Sequence, residues 1–324
     1  MAIMQKIPDF LFGDEATIPK ELVMRERVNN HATTLFHYTR EESSLLSILK
    51  EGLRFTFCLE EYPLLQTLYV GVPMISFCDI PISDSVEHSN KYGKYAIGLT
   101  KESLFGCKDI LKRLSPVHYF ISPESIKPIF QERGRIMEKK KEFRKFDNFP
   151  IRKQLINQVE SMETGDYTKV DGISTELVRE ATSINMYIKQ NLSPVCLAIG
   201  LLKPYYSWSK KKGAWQSNYD ECEWRIIEPE VWTMDGEGFD WLWTKDEYEK
   251  WRGENEKKAF IEDAKITFTA DCIGFIVVPT EKEVPTFIQK LKSMDVLCGE
   301  KMSHDQRLLL YSKVISFERI RKDF

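Results

Sequence analysis

Leu35-Phe36-His37-Tyr38 is short, apolar and aromatic, as a strand is, and it runs directly into Thr39-Arg40-Glu41-Glu42, which has the spacing of a helix capping box. Leu45, Leu46, Ile48 and Leu49 then fall on one helical face, and Gly52 stands where a C-terminal cap is expected. The stretch therefore predicts a strand feeding a helix, with His37 at the strand's end.

Further strands are expected at Met74 to Cys78, followed by the turn Asp79-Ile80-Pro81, at Tyr95 to Leu99 after Tyr92-Gly93-Lys94, and at Val117 to Ile121. From Ser125 to about Gln190 the chain turns polar, Lys- and Glu-rich and helix-compatible, with breaks near Pro150 and between Gly165 and Gly172. Residues 125–190 read as a helical insertion. Strands are expected to resume at Val195 to Leu202, Glu223 to Ile227, Lys265 to Thr269 and Ile273 to Val278, with a helix from about Val284 to Met294 and a last strand at Leu308 to Tyr311. Strands in runs and helices in blocks favour an α+β fold with a mixed or antiparallel sheet core over a doubly wound parallel sheet. The expectation is one α+β domain over residues 1–324 that carries the insertion. The first thirty residues show mixed charge and little periodicity.

The composition is that of a globular protein: 324 residues, 42% hydrophobic and 29% charged. A formal charge of -3 and a pI near 6.1 give no global attraction to nucleic acid or to an anionic membrane, so such binding would need a local patch. The seven cysteines are odd in number and no two lie within three residues, which argues against a disulfide framework and a CxxC site. The start Met1 to Phe10 lacks a basic segment followed by an apolar run, and no stretch nears eighteen consecutive apolar residues. The expectation is a cytoplasmic protein without a membrane span.

Tyr219-Asp220-Glu221-Cys222-Glu223-Trp224-Arg225 is the densest chemistry in the second half. In a strand, Glu221, Glu223 and Arg225 point to one face, and Cys222, Trp224 and Ile226 to the other. Two carboxylates beside a guanidinium can hold or polarise a ribose hydroxyl, since a carboxylate stabilises positive charge developing at a sugar carbon. The competing reading is a solvated strand face with an internal Glu-Arg pair. His37 is open in the same way, between a packed, hydrogen-bonded residue and a ligand-holding one. Asp79, His88 and His118 are weaker candidates.

No spacing suggests a metal, a phosphate-binding loop or a serine nucleophile elbow. Arg133, Arg135, Lys139, Lys140, Lys141, Arg144 and Lys145 make a basic ridge, but Glu132, Glu138 and Glu142 are interspersed. A solvated helix face is favoured there over a nucleic-acid site. All seven tryptophans lie from Trp208 to Trp251, beside Tyr205 and Tyr206, as packing residues or as the wall of a pocket for a base or nicotinamide ring.

The blocks Phe36-His37-Tyr38-Thr39, Ser47 to Leu53, Val72 to Pro81, Tyr92 to Leu99 and Glu221 to Arg225, with the end from Phe268 to Phe324, together resemble the AbiGi family of abortive phage-resistance proteins. The resemblance spans residues 35–324. It implies a role in bacterial anti-phage defence, with a cognate toxin or phage protein as partner. A more distant likeness is to ADP-ribosyltransferase folds with a His-Tyr-Glu arrangement. That likeness implies NAD as substrate and a macromolecular ADP-ribose acceptor, with Glu223 and Glu221 catalytic. His37, Tyr38, Thr39, Arg225 and either Tyr92 or Tyr95 would then hold NAD, and His37 and Glu223 would line one pocket. The alternative is a non-catalytic antitoxin or sensor that binds a partner toxin.

Overall fold

The computed structural model describes residues 32–63, 67–144, 175–209, 213–228, 242–243, 246, 249–250 and 260–323. These residues form an α+β arrangement around a mixed sheet. Strands β1 (Thr34–Thr39), β2 (Leu53–Pro63), β3 (Thr67–Cys78) and β4 (Tyr95–Thr100) are followed by the short β5 (Leu114–Pro116) and β6 (His118–Phe120). After the helical middle come β7 (Leu202–Pro204), β8 (Tyr206–Ser209), β9 (Ala214–Ser217) and β10 (Glu223–Ile227). Then follow β11 (Leu242–Trp243), β12 (Phe260–Ile266), β13 (Ile273–Val278), the β14 (Val296–Leu297) and β15 (Glu300–Lys301) pair, and β16 (Val314–Ser316).

The main sheet runs β12-β2-β3-β1-β4-β13-β16, with β10 on β3 and β5, and β11 on β3. All of these pairings are antiparallel except β13 with β16. Met74 faces both Thr56 of β2 and Ile227 of β10, and Cys78 faces both Phe36 of β1 and Glu223 of β10. Strand β10 thus occupies one edge of β3, while β2 and then β1 share the other.

Alternation along the strands sorts the side chains into two layers. Leu35, Phe77, Ile97, Ile226 and Ile276 share a core with Leu45 and Leu49 of the helix Glu42–Glu51 and with Phe287 and Leu291 of the helix Glu283–Lys292. Phe36, Ala96 and Val277 pack on the other face with Phe317 and Ile320 of the helix Phe317–Asp323. Full burial of side chains of this size is worth about 1.5–3 kcal/mol each.

The strand-to-helix step at its start stands as expected, but its cap does not. Thr39 is the last residue of β1, paired with Tyr95, and its hydroxyl donates to Glu41 O at 2.9 Å. The N-cap is Glu41, with no side-chain capping bond. A true capping box occurs at Ser303 and Gln306, opening the helix His304–Ser312. The last strand expected at Leu308 to Tyr311 is therefore helical, with Leu310 facing the core. Val195 to Gly200, expected as a strand, closes the helix Thr175–Gly200 instead, because an apolar run that short has the same pattern on a buried helix face. Strand β2 was not anticipated, since Glu60 and Glu61 break its apolar character.

The chain divides into two compact units, one formed by residues 1–123, 200–228 and 240–324 and the other by 124–199 and 229–239. The expected insertion is helical where it is described, in Lys127–Arg144 and Thr175–Gly200, and residues 145–174 lie outside the described residues. Ile136, Ala181, Ile184, Ile188, Leu192 and Cys196 are buried. Along the basic ridge, Arg135 pairs with Glu132 at 3.1 Å and Lys139 with Glu142 at 2.7 Å, which fits a solvated face at those positions, whereas Arg133, expected on the same face, is buried.

Candidate functional site

The carboxylates of Glu223, at the start of β10, and of Glu221, just before it, sit in a closed network of charge. Arg225 is fully buried, and its Nε donates to Glu223 Oε1 at 2.7 Å while Nη2 donates to Glu223 Oε2 at 3.2 Å. Nη2 also donates to Glu60 Oε1 at 2.8 Å, and Nη1 to Gly200 O at 2.7 Å. Lys203 Nζ bridges Glu221 Oε2 at 2.6 Å and Glu223 Oε2 at 2.7 Å. Glu221 Oε1 accepts from Tyr92 Oη at 2.9 Å and from Lys91. Three carboxylates thus face three cations. A buried charge is tolerable only when paired and hydrogen-bonded, and each of these is.

Glu223 and Arg225 share a face because they pair with Cys78 and Ser76 of β3. Glu221, expected on the same strand, lies instead in the 3-10 turn Tyr219–Glu221, since Cys222 takes a left-handed φ of 42° and breaks the strand's alternation. Lys203 nevertheless joins its carboxylate to Glu223.

His37 lies elsewhere. Register puts Phe36 on the face of Cys78 and Glu223, so His37 points to the opposite face, where its ring meets Phe77 edge-on at 6.0 Å. Its Nδ1–H donates to Ser76 O at 2.9 Å, where β1 leaves the edge of β3. The imidazole satisfies a backbone carbonyl at the split between β1 and β2, and burial lowers its pKa, so it is neutral. The expectation that His37 and Glu223 line one pocket is therefore corrected: β3 stands between them and they face opposite ways.

The tyrosines divide likewise. Tyr95 donates to Glu283 Oε2 at 2.7 Å, away from the network, whereas Tyr92 belongs to it. Tyr38 reaches the network only through rings, lying 5.0 Å from His88, which is 4.6 Å from Tyr92. Thr39 serves the turn after β1. Glu60, Lys91, Lys203 and Tyr119, whose hydroxyl accepts from Glu223 N–H at 3.2 Å, were not anticipated. A lone charge in the apolar run Leu201-Leu202-Lys203-Pro204 was the available signal for Lys203.

Burial alone would raise the pKa of Glu223, but Arg225 and Lys203 overcome it and hold the carboxyl well below its usual range. Burial opposes the charge on Lys203 as well, and Glu223 and Glu221 more than compensate. Glu223 and Lys203 are therefore both charged near neutral pH. His88 behaves oppositely: burial pushes its pKa down to about 4, although Glu221 pulls it upward.

These shifts predict two acid windows. The unfolded chain binds a proton on His88 near pH 6.5 while the fold refuses it, so stability is complete above that pH and falls by about 2–3 kcal/mol as pH drops to about 4. Glu223 and Glu221 contribute stability present above about pH 4.3 and lost as pH falls further, through their depressed folded values. His88→Gln is expected to shrink the first window to the share that the neutral, buried His37 contributes, and to leave the second. Urea midpoints at pH 7.5, 4.5 and 3 test this, and a wild-type midpoint unchanged between pH 7.5 and 4.5 would refute it.

Among the described residues no group of three or more His, Cys, Asp and Glu is placed to hold a metal ion, and no helix is long and apolar enough to cross a membrane. A family model described as "Putative abortive phage resistance protein AbiGi, antitoxin" matches residues 69–279, more than half of the chain. The match takes in β3 from Tyr69 onward, β10 and the charge network apart from Glu60, and it starts after His37. No curated protein and no solved structure matches.

Proposed function

Because this chain belongs to the AbiGi family of abortive phage-resistance proteins, we propose that it serves anti-phage defence by binding a partner protein, as an antitoxin holds its cognate toxin. The observation that carries this reading is the saturation of Glu223. ADP-ribosyl transfer from NAD asks a carboxylate to meet positive charge developing at the sugar. Glu223 already meets Arg225 and Lys203 at 2.7 Å, and the ribose-holding histidine of that scheme lies across β3 on the other face. On this reading Glu221, Glu223 and Arg225 build a rigid base for the strands around them, and NAD and an ADP-ribose acceptor have no part in the function.

Co-expression with the product of the adjacent gene tests the proposal. The expected result is relief of growth arrest and a stoichiometric complex on gel filtration, with no NAD consumed by the purified chain. NAD turnover that disappears in a folded Glu223→Gln variant would sink the binding reading and restore the transferase one.

A further inference from the structure

We propose that Cys78 and Cys222 are a modification site, a pair of thiols that a peroxide joins into one reversible disulfide across β3 and β10. The two are far apart in sequence, and the strand register brings them together. Cys78 ends β3 opposite Glu223, the first residue of β10, and beside that pair Asp79 N–H donates to Cys222 O at 3.0 Å. Glu223 turns its own N–H to Tyr119 Oη and its carbonyl to Val117 N–H, away from β3. Cys78 and Glu223 are therefore the close, non-hydrogen-bonded kind of antiparallel pair. With strands about 4.8 Å apart and a rise of about 3.4 Å per residue, the residue one step before Glu223 stands about 6 Å from Cys78 at Cα, inside the disulfide span of about 4.4–6.8 Å.

The backbone at Cys222 removes the obstacle that alternation would set. In an unbroken strand Cys222 would face away from Cys78, which shares a face with Glu223. Its φ of 42° and ψ of 47° are left-handed instead and swing its Cβ out of that alternation. Only surrounding contacts keep a residue other than glycine in that conformation, and such residues gather at functional positions. The two sulfurs also act on each other. Burial pushes the Cys78 thiol well up, and Cys222 pushes it further, more than Glu221 or Asp79 does, an effect that fades with separation.

Exposure sets the order of events. Cys78 is 1% exposed, whereas Cys222 is partly open to solvent, so the peroxide reaches Cys222 first. It oxidises that sulfur by two electrons, giving a sulfenic acid and one water. The Cys78 sulfur then attacks the Cys222 sulfur, and the S–S bond forms as the sulfenic hydroxyl leaves with the Cys78 proton as a second water. The chain loses two hydrogens and the peroxide ends as water. The bond clips the turn Tyr219–Glu221 to the end of β3, which keeps Glu221 at the edge of the charge network. It closes a long loop, the case in which a crosslink favours the folded state most. None of this depends on whether the chain binds a partner.

The test adds a single equivalent of hydrogen peroxide to the whole folded chain, then digests it without reductant for mass spectrometry. The expected product is a monomer lighter by two hydrogens, with Cys78 and Cys222 in its cross-linked peptides, which dithiothreitol returns to the starting mass. Cys78→Ser is expected to stop at a sulfenic acid that dimedone labels on Cys222, and Cys222→Ser to leave Cys78 a thiol. Cys272→Ser is expected to oxidise as the wild type does. Urea unfolding is expected to show a higher midpoint for the oxidised wild type than for the reduced one. The wild-type peptide map decides even where Cys78→Ser does not fold. A first disulfide between any other two of the seven cysteines, a disulfide-linked dimer, or Cys222 oxidised past the sulfenic acid with Cys78 untouched overturns the proposal. So does a Cys222 that stays a thiol.

Discussion

Arg225→Met is expected to remove about 3–5 kcal/mol of stability, the usual consequence of taking one partner out of a buried ion pair. Arg225 is fully buried and donates to Glu223, Glu60 and Gly200 O at distances of 2.7 to 3.2 Å. Methionine fills much of the volume but leaves Glu60 without that guanidinium and Glu223 with Lys203 as its remaining cation. Arg225→Lys keeps the charge yet cannot reach three acceptors with a planar fork, so an intermediate loss is expected. The network makes a sharper demand. Adding Glu223→Gln to Arg225→Met should cost less than the sum of the two single changes, since the second removes the charge that the first has stranded. Urea unfolding with unchanged slope supplies the numbers. A single Arg225→Met variant within about 1 kcal/mol of wild type would mean that water, and not Arg225, neutralises Glu223.

That network shows where sequence reading stops. The strand Glu223 to Ile227, the common face of Glu223 and Arg225, and the strand-helix step at Leu35 to Gly52 were all legible from periodicity, because they depend on neighbours two to four residues away. What neutralises Glu223 was not. Lys203 comes from a separate short strand, Glu60 from a strand hidden by its own charges, and Lys91 from a helix beside Tyr92. A carboxylate bound on two sides and a carboxylate poised for chemistry have the same local sequence. His37 failed in a related way: its strand and position were right, but its face depended on the pairing of Phe36 with Cys78. A shift of one residue in register would have turned it to the face that carries Glu223, still across β3 from it. Helix and strand were exchanged at Val195 to Gly200 and at Leu308 to Tyr311, where the apolar run is too short for its period to be measured.

Gly93→Ala is expected to destabilise the fold by about 3–5 kcal/mol, although it adds only one methyl group. Gly93 closes the helix Val86–Tyr92 with φ of 130° and ψ of 162°, a conformation L residues rarely adopt and one worth about 1–3 kcal/mol of strain. A Cβ there would fall inside the envelopes of Thr39 O, Thr39 C and Arg40 N, all backbone atoms. Overpacking of this kind adds about 1–3 kcal/mol. Neither side yields easily. Thr39 is fixed by its pairing with Tyr95, and Gly93 N–H caps the helix by donating to Ser89 O at 3.0 Å. The relaxation left open is for the helix to move off β1, and that helix carries His88, Lys91 and Tyr92. The substitution should therefore also loosen the Tyr92–Glu221 hydrogen bond and weaken the acid window assigned to His88. Gly106→Ala is the control, because a Cβ at Gly106 meets nothing within 4 Å. Thermal unfolding should place Gly106→Ala close to wild type and Gly93→Ala far below it. Equal melting temperatures for the two would show that β1 and the helix can part at little cost, and that the helix does not hold the edge of the charge network.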